Sequence, residues 1–316
     1  MADVKKIATR EGYSDTLVEL AGEYDNLYVF DADLAGATKT SKVKKAHPGR
    51  FFDCGIAEQN MMSIAAGMAA CGNIVFASSF AMFASGRAFE QIRNSIAYPN
   101  LNVKIGATHG GISVGEDGAS HQCCEDISLM RSIPNMTVIV PADDTEARLA
   151  TRAVAKAYGP CYLRFGRLAV PVVFGSDYRF EIGKGVVLRE GTDVTVIANG
   201  LMVEKAIEAG RQLAEEGISA RVINMATVKP IDRALVLESA AKTGAIVTVE
   251  EHNIIGGLGS AVCEVVCEEK PVPVLRVGVN DEFGRSGPAV ELLELFGLNT
   301  RNIVETAKKA VACKEK

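Results

Sequence analysis

Short runs of four or five apolar residues alternate along this chain with longer stretches in which apolar residues return every three or four positions. In the first half the runs are Leu27-Tyr28-Val29-Phe30, Ile74-Val75-Phe76-Ala77, Val103-Lys104-Ile105-Gly106, Thr137-Val138-Ile139-Val140 and Tyr162-Leu163-Arg164-Phe165. The stretches between them predict helices near Arg10–Tyr24 and over Glu58–Ala70, Ala84–Ile96 and Asp144–Tyr158. A second series follows, with strands over Val194–Ala198, Ala220–Asn224, Ile246–Val249 and Val274–Val277. Its helices cover Val203–Glu216, Asp232–Lys242, Ser260–Glu268 and the C-terminus. Short β-rich runs between helical periods suit strands buried on both faces, the condition of a parallel sheet flanked by helices. Between the series, Gly166–Glu190 holds Pro171, Gly175, Gly183 and Gly185 without a sustained period and reads as a connection. The expected fold class is α/β: two doubly wound α/β domains, 1–168 and 191–316, joined by a linker at 169–190.

Composition narrows what such a chain can do. Its 316 residues, 48% of them hydrophobic, are ample for two cores. Apolar runs fall short of the roughly 18 residues a membrane span needs. The opening Met-Ala-Asp-Val-Lys-Lys has no secretory apolar region, so a cytoplasmic location is expected. A net charge of −5 without a basic cluster argues against a nucleic-acid partner. Eight cysteines fit reducing-compartment usage better than a disulfide framework in a chain this long. Cys263 and Cys267, at helical spacing, are expected as buried thiols, and Cys123-Cys124 as packing residues. No metal ligands are assigned within the chain.

Candidate chemistry gathers in two places. Gly55-Ile56-Ala57-Glu58-Gln59-Asn60 sets an acid at the mouth of a predicted helix. Of only four histidines, His109 and His121 flank the loop containing Gly115-Glu116-Asp117-Gly118. Ligands of open α/β sheets bind outside the carboxyl ends of the strands. Asp31 and Asp33, Ser78-Ser79-Phe80 and Thr108-His109 all fall at such ends. By spacing alone this is an acid/base site with flexible walls. Met61, Met62 and Ile64 supply apolar neighbours that would raise the pKa of Glu58.

These motifs resemble the C-terminal half of the transketolase family over essentially the whole chain: Gly-Ile-Ala-Glu-Gln-Asn, Thr108-His109 and Gly-Glu-Asp-Gly-x-x-His-Gln. The resemblance implies a pyrimidine-binding domain of the thiamine-diphosphate fold followed by a transketolase C-terminal domain that stabilises a dimer. It implies Glu58 as the acid that protonates the cofactor's aminopyrimidine ring, Phe80 and Phe83 as its aromatic walls, and Asp33 as a further cofactor contact. It implies His121, helped by His109, for proton transfer to and from sugar oxygens. Asp117 would read a sugar hydroxyl, and Arg10 would bind an anionic end group. Arg164 and Arg167 share the second arginine role ambiguously, because Arg-Phe-Gly-Arg aligns either way. Gly86 stands where transketolases have a third aromatic.

The family's diphosphate-binding domain holds Mg²⁺ through a Gly-Asp-Gly motif, which this sequence lacks. Expected partners are therefore an N-terminal transketolase subunit that brings Mg²⁺ and diphosphate sites, a second copy of this chain in an α2β2 assembly, and sugar phosphates. The reaction implied is transfer of a two-carbon ketol unit from an anionic ketose to an aldose. Ala88-Phe89-Glu90-Gln91-Ile92 is similar to deoxyxylulose-phosphate synthases and 2-oxoacid dehydrogenase beta subunits, so these stand as alternatives. A non-catalytic assembly subunit is the alternative of another class. In the second half, Glu250-Glu251-His252 and the Gly256-Gly257-Leu258-Gly259 turn read as interface features rather than chemistry.

Overall fold

The computed structural model describes residues 5–314 and contains two mainly parallel sheets, each with helices on both faces, and a two-stranded ribbon. The first sheet has seven strands in the order Thr227–Lys229, Thr137–Ile139, Cys161–Arg164, Val103–Thr108, Ile74–Phe80, Leu27–Asp31 and Phe51–Asp53. All are parallel except Thr227–Lys229, which pairs antiparallel with Thr137–Ile139. The second sheet has five, in the order Val274–Val279, Ile246–Asn253, Val194–Ala198, Ala220–Asn224 and Val186–Arg189, the last antiparallel. The expected pair of doubly wound α/β sheets is the observed architecture.

Continuous apolar strands bury both faces, and successive side chains enter different cores. Val75 and Ala77 join a cluster with Met61, Met62 and Ala65 of helix Glu58–Ala70, whereas Ile74 and Phe76 join one with Leu17 and Leu20 of helix Thr9–Glu23. Close approach is built in on that second side. Tyr13, wholly buried, stacks on Phe165 with ring centroids 4.6 Å apart and reaches Ser78 Oγ at 2.7 Å. A methyl group at Gly106 would overlap its phenol, so the strand needs glycine there. Helix Asp144–Lys156 begins at Asp143, whose side chain accepts from the Glu146 amide, a cap that stabilises by about 1 kcal/mol.

The structure corrects several expectations. The helix predicted over Ala84–Ile96 is π-helical over Met82–Arg87 and Ile92–Ala97, with a short α turn, Phe89–Gln91, between them. In the first of them Ser85 Oγ donates to the Ala81 carbonyl at 2.7 Å. The connecting segment contributes two strands. Ala169–Pro171 pairs with Lys6–Ala8, and Val186–Arg189 edges the second sheet. Cys267 is exposed and Cys263 only half-buried, because they lie on the outer flank of helix Leu258–Glu269, while Cys123 and Cys124 are buried as expected. Among the described residues, no helix is long and apolar enough to cross a membrane.

Candidate active site

Five adjacent parallel strands end along one edge of the first sheet, and each delivers part of the site. Asp31 ends the Leu27–Asp31 strand with a fully buried carboxylate. It accepts from the Leu34 amide and from the Thr38 and Thr40 hydroxyls at 2.7, 2.7 and 2.8 Å, folding the chain back over the strand. Burial pushes its pKa up to about 6 against those bonds. Asp33, two residues on, takes a left-handed backbone (φ 61°) and an exposed side chain. Its amide donates to Asp53 Oδ1 at 3.0 Å, which accepts from the Gly55 amide at the same distance. Asp53 therefore ties the Asp33 turn to the loop that enters the next helix.

Glu58 is the first residue of that helix and is 1% exposed. Its carboxylate is paired with Arg87 at 2.7 Å, and the Arg87 guanidinium lies 4.6 Å from the Phe83 ring centroid. Met61 and Met62 pack wholly buried beneath it, but Ile64, expected among its apolar neighbours, is 40% exposed on the opposite flank. Arg87 lies outside the sequence motifs, 29 residues from Glu58. Its one signal is a cation at the end of the short-side-chain run Ala84-Ser85-Gly86.

Next to it stands a cluster of two phenylalanines and two histidines. Phe80 and Phe83 stack with centroids 5.9 Å apart. Phe80 also stacks on His109 at 3.9 Å, and Phe83 meets His121 edge-on at 5.1 Å. His109, at the end of strand Val103–Thr108, has φ 59° and is 3% exposed. Arg10 Nη1 donates to its Nε2 at 2.8 Å, so the ring proton sits on Nδ1 and is given to Thr108 Oγ1 at 2.9 Å. Burial first, then the positive charges of Arg10 and Arg167, pull the His109 pKa down to about 3. It is a neutral imidazole at physiological pH. Removing Arg10 as alanine is expected to move the His109 titration upward, toward the ordinary value near 6.5. An NMR titration of the ring reads this; an unmoved pKa would show that burial and the remaining charges set it without Arg10.

The two arginines left ambiguous by the sequence have different settings. Arg164 is 5% exposed and committed to Asp126 at 2.8 Å and to the carbonyls of Cys123 and Glu251 at 3.2 and 2.9 Å. Removing one member of such a buried pair costs about 3–5 kcal/mol. Arg167 is 37% exposed, donates to the Val114 carbonyl and to Glu116, and lies close enough to Arg10 and His109 to depress both pKa values. Asp117 is exposed at the tip of the same loop, and His121, half-buried, is bonded through Nδ1 to Ser120 Oγ at 3.0 Å. The structure thus brings Arg10, His109, His121, Arg167, Phe80 and Phe83 together. Asp33 reaches the site edge through Asp53, and Arg164 lies beneath the loop. A cleft of about 550 Å³ opens beside the cluster, lined by Phe83, Arg87, Ser120, Gln122 and, from the second half of the chain, Glu282 and Phe283.

Known proteins are similar to this chain along nearly its whole length. Residues 5–172 match the model of the transketolase pyrimidine-binding domain, and residues 183–303 that of the transketolase C-terminal domain. A protein of Methanocaldococcus jannaschii named as a transketolase C-terminal section is 52% identical over 95% of this chain and 96% of its own. A 6-deoxy-6-sulfo-D-fructose transketolase subunit of a Clostridium species is 45% identical over 94% of this chain and 92% of its own. A solved split-gene transketolase, described as an inactive beta4 tetramer, superposes with a TM-score of 0.90 at 55% identity, covering 98% of this chain and 100% of that one.

Proposed function

The chain belongs to the transketolase family, and from that premise we propose that it is one subunit of a two-chain enzyme moving a two-carbon ketol unit from an anionic ketose to an aldose. The observation that carries this reading is the convergence, on one sheet edge, of a buried carboxylate, stacked Phe80 and Phe83, two imidazoles and two arginines. The relatives named as a C-terminal section and as a subunit support a partner chain, as does the inactive tetramer of beta chains. We assign that partner the Mg²⁺ and diphosphate sites.

The residues present suit the pyrimidine end of thiamine diphosphate: a buried acid at a helix start and an aromatic wall of Phe80 and Phe83. When bound, the cofactor supplies the nucleophilic carbon and the electron sink for carbon–carbon cleavage. Glu58 holds and exchanges a proton at the pyrimidine ring nitrogen. Arg87, which pairs with Glu58 in the chain alone, keeps a second partner for its charge in Phe83. His121, tied through Nδ1, has Nε2 for a sugar oxygen and carries the proton transfers. His109 is neutral and holds the Arg10 guanidinium in place, so both contact the sugar and its anionic end. Asp117 reads a hydroxyl, and Asp33 completes the cofactor's edge. Of the arginine pair, Arg167 takes the anion, since Arg164 is spent on Asp126.

The test compares donors. Arg10→Ala is expected to raise KM for a ketose phosphate or sulfonate by the equivalent of about 1.5–3 kcal/mol, the range of a charge-assisted bond. The loss is smaller where Arg167 also reaches the anion. Hydroxypyruvate, which has no anionic sugar terminus, should respond far less. Equal losses for both donors would make Arg10 structural, and a preference for pyruvate would assign the chain to the deoxyxylulose-phosphate synthase or oxoacid dehydrogenase side.

A further inference from the structure

The loop carrying His109, Asp117 and His121 rests on the C-terminal domain. Glu251, near the end of strand Ile246–Asn253, is 4% exposed, and its Oε1 accepts the Ser113 amide at 2.6 Å across 138 residues of sequence. Its carboxyl fills the space a Cβ would need at Gly111, where φ is +88°, so the loop is shaped around it. The Glu251 carbonyl accepts from Arg164 at 2.9 Å, and the same guanidinium reaches the Cys123 carbonyl on the loop's far limb. Asn253 donates its amide to the Cys124 carbonyl at 2.7 Å. Gln122, next to His121, donates to the carbonyls of Ile112 and Gly115 and to that of Arg285 at 2.8 Å. Both limbs of the loop are therefore pinned from the second domain, and among the described residues Glu251 is the one side chain of that domain bonded to its backbone at the turn after His109.

We infer that Glu251 is a positioning residue for donor chemistry, fixing the Gly110–Gln122 loop so that His109 and His121 stand at the working distance from the sugar. The C-terminal domain then takes part in the reaction through this contact, in addition to any role in assembly. The inference rests on the proposed ketol transfer for its kinetic readout, but the hold itself is measurable without turnover. The groups facing Glu251 are Arg164, Ser113, Cys124 and Asp126; on its own strand, Glu250 is taken up by the amides of Leu258 and Gly259, and His252 by that of Ser128. Burial pushes Glu251 up to about 7 against Arg164 and the Ser113 bonds. Its ionised form accepts more strongly from Ser113 and is the one that meets Arg164 as an opposite charge. Activity dependent on that form is present above pH 7 and lost as pH falls through it.

The experiment uses the full chain for amide hydrogen exchange and the reconstituted pair of chains for kinetics, with Glu251→Gln and Glu251→Asp. Glutamine keeps the volume and removes the charge, while aspartate keeps the charge and withdraws it by one methylene. Both should speed exchange within residues 110–122 while strand Val194–Ala198 stays protected. Both should lower kcat about tenfold or more, with KM for hydroxypyruvate little changed, the signature of reacting groups held out of place. Wild-type kcat is expected to decline as pH falls below 7, and that decline should flatten in Glu251→Gln. If glutamine prevents folding, the aspartate variant decides. Unchanged exchange in the loop, exchange raised throughout the chain, or faster loop exchange with wild-type kcat and pH profile would each overturn the assignment. A wild-type pair inactive on every ketose would count against ketol transfer, leaving the exchange result to judge the hold.

Discussion

Glu58→Gln is expected to leave the fold and cofactor affinity largely intact and to lower turnover of the assembled enzyme by at least about 10²-fold, the scale of lost acid–base catalysis. The structure explains why the two effects separate. Glutamine has the same shape, so the packing over Met61 and Met62 is kept. The charge it removes faces Arg87, which is 46% exposed and can turn to water, so little stability is lost. What glutamine cannot do is take and return a proton at the pyrimidine nitrogen. Turnover and hydrogen–deuterium exchange at the cofactor's thiazolium carbon should fall together. Near-normal turnover, or slow turnover with normal exchange at that carbon, would remove Glu58 from the role proposed for it.

Supplied with Mg²⁺ and thiamine diphosphate but no second chain, the protein should show no ketol transfer, and a partner bearing the Gly-Asp-Gly motif should restore it. The residues gathered at the sheet edge suit the pyrimidine, the sugar and its anionic terminus, and we assign the diphosphate and its metal to the other chain. Association then stabilises by mass action, and activity should rise with partner concentration to a plateau. Robust turnover by the lone polypeptide would defeat the two-chain proposal.

What could be read from the chain in advance was whatever is local. Strands Val194–Ala198 and Ala220–Asn224 and helix Glu58–Ala70 lie where the apolar pattern puts them, because continuous runs and 3.6-residue periods are properties of neighbouring residues. Strands Phe51–Asp53, Lys6–Ala8 and Thr227–Lys229 escaped, since three residues carry no period and each is chosen by the strand it pairs with. The site divides in the same way. Glu58, His109 and His121 announce themselves through local motifs, but Arg87 and Glu251 acquire meaning only through partners 29 and 138 residues away. Neighbouring sequence also cannot tell Arg164 from Arg167, although one is buried in a charge network and the other is half open to solvent.

Strand Thr227–Lys229 has a consequence for how the molecule is made. It lies in the second half of the chain, yet it completes the first sheet, pairing with Thr137–Ile139. At about 5–20 residues per second, a ribosome that has finished Cys161–Arg164 needs several more seconds to deliver it. Until then the nascent first sheet presents an open edge, the kind of template on which another chain can add. A polypeptide cut between the two halves would carry that raw edge permanently. The two halves are thus joined through a shared sheet as well as through the connecting segment.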